Sequence, residues 1–175
     1  MKKTSLLVQL MLITGLAVMI GCGGGGGGDA APSPTKAIVT LSTTGTLPSG
    51  IQIGGIQAKI NLPAGVTAKA NPPVLNSAVL FTDAGVVVAS GSAAGAEFVT
   101  GVYSTGTTTV TYAVSLGVSK FSGFSTGEFA QVTCDIAAGS APGAADFSIS
   151  DVTIAELTTG AAITGLIPGF TVAFQ

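Results

Sequence analysis

From Ala37 to Gln175 the sequence alternates apolar and polar residues with a period of two, in short runs. Val110, Tyr112, Val114 and Leu116 interleave with Thr109, Thr111, Ala113 and Ser115. Ala130, Val132, Cys134 and Ile136 interleave with Phe129, Gln131, Thr133 and Asp135. Ile56, Ala58, Ile60 and Leu62 interleave with Gln57, Lys59 and Asn61, and Phe170, Val172 and Phe174 repeat the pattern near the end. Successive side chains of a strand point to opposite faces, so each run has one apolar face and one mostly hydroxyl-bearing face. No window carries apolar residues at i, i+3, i+4 and i+7 without an intervening Gly or Pro, so helices are not expected.

Ile38–Ser42, Ala78–Thr82, Val86–Ala89, Glu97–Tyr103 and Phe147–Leu157 are further strand candidates, rich in β-branched and aromatic residues. In the last of these the apolar phase shifts between Ile149 and Val152, which predicts a bulge near Asp151. Turn signals separate the runs: Pro63-Ala64-Gly65, Asn71-Pro72-Pro73, Asp83-Ala84-Gly85, Ser104-Thr105-Gly106, Ala141-Pro142-Gly143 and Thr159-Gly160. About nine short strands with frequent turns predict an all-β fold, a two-sheet antiparallel β-sandwich of jelly-roll type.

The N-terminal region reads differently. Lys2 and Lys3 precede an apolar run, Leu6 to Ile20, which is about the length of a signal-peptide core and short of the ~20 residues that span a bilayer. Six glycines, Gly23–Gly28, then lead into Asp29–Lys36 with Pro32 and Pro34. Glycine has no side chain to bury and loses the most entropy on ordering, so this stretch reads as a tether with a root-mean-square span of roughly 20 Å. The expected organisation is a leader over 1–21, Cys22 with a Gly/Pro-rich tether over 22–36, and one domain over 37–175. Removing the first 21 of 175 residues leaves 154, enough for one core without disulfide or metal.

Met19-Ile20-Gly21-Cys22 resembles the lipobox of bacterial lipoproteins, with Met19 in place of the usual Leu. The resemblance implies cleavage before Cys22 and acylation of its thiol, palmitate being typical, so that the partner there is the lipid bilayer. Each buried CH₂ contributes ~0.8 kcal/mol, so two or three chains hold where one is marginal. Gly23, not Asp, follows the cysteine; in similar lipoproteins this favours export to the outer membrane.

The domain's strand patterns resemble the cohesin family and its cellulose-binding-module relatives. Gly55-Ile56-Gln57-Ala58-Lys59-Ile60-Asn61-Leu62 is similar to an early family strand. Thr126–Ile136 is similar to the family's "G-x-L-A-x-I-x-F-x-V" strand, and Ala141–Ile154 to the strand that follows. The resemblance implies a cohesin-like sandwich that docks a protein or, in relatives, a polysaccharide.

Side-chain chemistry narrows the function further. Beyond the leader, four lysines (Lys36, Lys59, Lys69 and Lys120) face eight acids, with no arginine or histidine, a net charge of −4. Phosphate-neutralising clusters are missing, which argues against a nucleic-acid partner. Gly123-Phe124-Ser125-Thr126-Gly127 matches the G-x-S-x-G nucleophile elbow, but Ser125 has no histidine base. Cys134 lies in phase with inward residues and reads as a small core hydrophobe. Asp83, Asp146, Asp151 and Glu156 are oxygen donors without EF-hand spacing, so no metal and no cofactor are expected. Tyr103, Tyr112, Phe121, Phe124 and Phe129 are the aromatic candidates for a sugar platform, with Tyr112 reading better as core. The expectation is a non-enzymatic, envelope-anchored interaction or structural protein; the alternative is a displayed polysaccharide-binding module, which requires Phe121, Phe124 and Phe129 to form an exposed strip.

Overall fold

The computed structural model of the chain describes residues 33–69, 79–105 and 112–175. Among the described residues, ten antiparallel strands make two five-stranded sheets. Sheet I contains β1 (Lys36–Thr44), β3 (Val66–Thr67), β5 (Val87–Ala89), β8 (Gly127–Ile136) and β10 (Ile167–Phe174). Its order is β10-β1-β8-β3, with β5 also pairing β8. Sheet II contains β2 (Ile53–Leu62), β4 (Val79–Phe81), β6 (Phe98–Thr105), β7 (Tyr112–Phe124) and β9 (Ser148–Glu156), in the order β4-β6-β7-β2-β9. Among the described strands, only β6 and β7 are consecutive and pair with each other. Every other described connection passes from one sheet to the other, which ties the two layers together.

The core lies between the sheets. From sheet I, Ala37, Val39, Leu41, Val132 and Cys134 point inward, fully buried. From sheet II they meet Ile56, Ile60, Val114, Val118 and Ile154. These are the apolar phases of the alternating runs, and each large side chain contributes roughly 1.5–3 kcal/mol on burial. The opposite faces carry Gln57, Lys59, Ser115 and Thr153, so each strand is half solvated, as its pattern predicts.

Bulges on β9 and β8 adjust that pattern. On β9, Asp151 and Val152 together face Ala58 of β2, between the pairs Gln57–Thr153 and Lys59–Ser150. Asp151 has φ of 51°, the one positive φ outside glycine among the described residues. The predicted bulge is therefore present. On β8, Leu41 pairs Ala130 while Ser42 pairs Glu128, which leaves Phe129 as an extra residue. Phe129 and Ala130 both turn inward and both are fully buried. The strict alternation placed Phe129 outward; the bulge reverses it.

β7 continues through Phe124, well past the run that ends near Leu116: β2 and β6 both pair it as far as Ser119, and β2 meets it again at Phe124. Ser104 and Thr105, read from sequence as a turn, extend β6. Val66–Thr67 is a strand that no alternation announces, since two residues are too few to show a period.

Candidate binding site

The G-x-S-x-G segment is a corner, not an elbow. β7 ends in sheet II at Phe124 and β8 starts in sheet I at Gly127, so only Ser125 and Thr126 carry the chain across. Gly123 (φ 71°) and Gly127 (φ 128°) adopt conformations that side chains resist, which permits so short a crossing. Ser125 accepts a hydrogen bond at its carbonyl from the Ser92 hydroxyl at 2.9 Å. Its own hydroxyl donates to the Thr126 carbonyl at 3.4 Å, a local contact with no base nearby.

Just before this corner, β7 swells outward. Gly55 of β2 pairs Ser119 and Ile53 pairs Phe124, so one residue of β2, Gly54, runs beside four of β7, Lys120 to Gly123. Phe121 stands on that swelling, 76% exposed. Its backbone N–H donates to the Glu97 carboxylate at 2.8 Å. The Lys120 ammonium donates to the Ala94 carbonyl at 2.9 Å and the Ser92 carbonyl at 3.4 Å. The Phe121 amide holds the Glu97 carboxyl below its usual range, helped by its own backbone amide and by the Lys120 charge against a small opposing burial effect. A large apolar side chain is thus held in water by polar bonds to its backbone and to its neighbour.

Phe98 begins β6 opposite Ser119 and is 56% exposed. Its cross-strand partner Ser119 directly precedes the swelling that carries Phe121. Thr100 follows on the same face and opens into a depression of about 290 Å³. Gln57, Lys59, Val102, Ser115, Gly117 and Asp151 line it. Lys59 and Asp151 approach to 3.8 Å there, an exposed pair worth little energetically. This region therefore offers the exposed Phe98 and Phe121 rings and a shallow trough whose polar groups are Gln57, Thr100, Ser115 and the Lys59–Asp151 pair.

The sequence candidates distribute unevenly. Phe121 is exposed, but Phe124 (4%) and Phe129 (0%) are core residues, so the three do not form a strip. The bulge buries Phe129, and the corner turns Phe124 inward. Phe98 escaped notice because an isolated phenylalanine at a strand start reads as core. Tyr103 and Tyr112 stack with centroids 5.2 Å apart. Burial raises the Tyr103 phenol well above its ordinary value, with smaller contributions from Tyr112 and Cys134. Cys134 is buried and free, its thiol pushed up to about 12, mainly by burial and then by Asp135.

The four acidic candidates lie apart. Asp146 accepts the Gly143 N–H at 2.7 Å in a short 3-10 turn. Asp151 sits at the β9 bulge, and Glu156 accepts the Thr159 hydroxyl. Asp83 lines a separate depression with Lys36, Lys69 and Asp135. Among the described residues, no three His, Cys, Asp or Glu side chains gather to hold a cation. Cys22 lies outside the described residues. No described helix is long and apolar enough to cross a membrane.

No family model matches the chain, and no curated protein or solved structure matches it.

Proposed function

We propose that the chain is an exported lipoprotein, anchored through Cys22, whose sandwich acts as a non-catalytic, cohesin-like interaction module. The observation that carries the reading is Phe121, held 76% exposed on a hydrogen-bonded swelling of β7. An exposed aromatic braced in this way is a candidate anchor for a partner's apolar pocket. The strands that carry the cohesin-like patterns are β2, β8 and β9, which belong to both sheets.

The placement of the face supports display. The chain enters the sandwich at Lys36, which bonds Gln175 and lies 3.4 Å from Asp135. β1 then runs nine residues, roughly 27 Å, to Thr44 near the β7–β8 corner. Phe121 therefore lies toward the end of the sandwich opposite Lys36. Recovery of a partner from envelope extract by the natural chain, and its loss with Phe121→Ala, tests the reading. Identical capture by both chains contradicts it.

Polysaccharide binding is the second reading, and the trough at Gly117 beside Phe98 is the observation that favours it. A glycan array that stays blank for the natural chain removes it.

A further inference from the structure

We propose that β10 pairs edge to edge with the β10 of a second copy of this chain, antiparallel and centred on Val172, so that two sandwiches share one continuous sheet.

β10 is the outer strand of sheet I and pairs only β1 among the described residues. Its direction of bonding is fixed by the first pair. Lys36 and Gln175 exchange both backbone hydrogen bonds, at 3.0 and 2.9 Å. The register then runs without a shift from Ala37–Phe174 to Thr44–Ile167. In an antiparallel ladder, bonded and non-bonded pairs alternate. The backbone groups of Ile167, Gly169, Thr171 and Ala173 thus turn toward β1. Those of Pro168, Phe170, Val172 and Phe174 turn toward the open side. Pro168 has no N–H, so the open edge presents three donors, at Phe170, Val172 and Phe174.

That row is symmetric about Val172, which singles out a second copy as its occupant. A two-fold axis at Val172 sets Val172 against its own copy and Phe170 against the copy's Phe174. Each facing pair then exchanges two hydrogen bonds, and Pro168 falls outside the paired stretch. The side chains follow the same symmetry. Phe170, Val172 and Phe174 face inward, opposite the buried Leu41, Val39 and Ala37, yet remain only partly buried themselves. Phe-Val-Phe reads the same in both directions, so the pairing places phenyl against phenyl and valine against valine over the open flank of the core. No charged side chain occurs between Glu156 and Gln175, so the edge lacks the charges with which strands commonly repel such pairing.

The test uses the chain purified in detergent as its bacterial host produces it. Sedimentation equilibrium is expected to give twice the chain mass at micromolar concentration. Val172→Pro deletes the central donor, which makes no bond within the monomer. Thr171→Lys combined with Ala173→Lys sets like charges opposite one another across the pairing. Each is expected to weaken association at least about tenfold. Far-UV circular dichroism checks that the sheets persist. Thr171→Cys with Ala173→Cys is expected to oxidise to a covalent dimer, because these positions face each other across the axis. A natural chain that stays monomeric at about 100 μM overturns the proposal. So does a dimer that survives both the proline and the lysine variants, or one that the cysteine pair fails to cross-link.

Discussion

The Glu97 carboxylate accepts the backbone N–H of Phe121 at 2.8 Å, just past Ser119, where the pairing of β7 with β6 stops. That bond occupies the place a strand neighbour would have filled. It lets β7 depart from the sheet and carry a phenyl ring into solvent without leaving an amide unsatisfied.

Phe121→Ala and Phe98→Ala are expected to leave stability within about 0.5 kcal/mol, since both rings are more exposed than buried. Partner affinity is expected to fall by about tenfold or more for Phe121→Ala, as for a central aromatic anchor. Urea denaturation and binding titrations on the same samples separate the two effects.

The Glu97 contact carries a pH signature. Its carboxyl titrates below the ordinary range in the folded chain, so the ionised form favours the fold. The contribution is complete above the unfolded carboxylate value and is lost as pH falls through the folded one. Glu97→Gln therefore lowers stability relative to the natural chain at neutral pH, and the two curves converge in acid. Urea midpoints measured for both chains between neutral pH and about pH 3 check the sign.

Thr43 is buried, 1% exposed, and its hydroxyl has no hydrogen-bond partner among the described residues. Thr43→Val replaces that hydroxyl by a methyl of similar shape and is expected to stabilise by about 1 kcal/mol. The measurement is the shift in denaturation midpoint at constant m-value.

Cys134 is expected to resist alkylation in the folded chain at pH 8, with its thiol pushed up to about 12 and no exposed surface. Reaction with a maleimide should appear only on addition of denaturant.

The sandwich was legible from Ala37 onward because alternation is a direct record of which face is dry. The bulge at Asp151 was legible too, since a bulge shifts the phase of every residue after it. Phe129 was misread for the converse reason. Its bulge sits near the start of β8, where few residues precede it to reveal a phase. The exposed aromatic face was less visible. Phe121 stands out only through the path of its backbone, which depends on Glu97, 24 residues away in sequence. Alternation cannot encode such a contact. The self-pairing edge needed the Lys36–Gln175 bonds to say which amides of β10 face outward.

Anchoring through Cys22 is the claim on which the display function depends, and intact-mass spectrometry of the chain extracted from host membranes tests it directly. The account predicts a mature chain lacking Met1–Gly21, with the mass of a diacylglyceryl group on Cys22. A chain that retains its leader, or an unmodified Cys22 on a chain recovered from the cytosol, contradicts it.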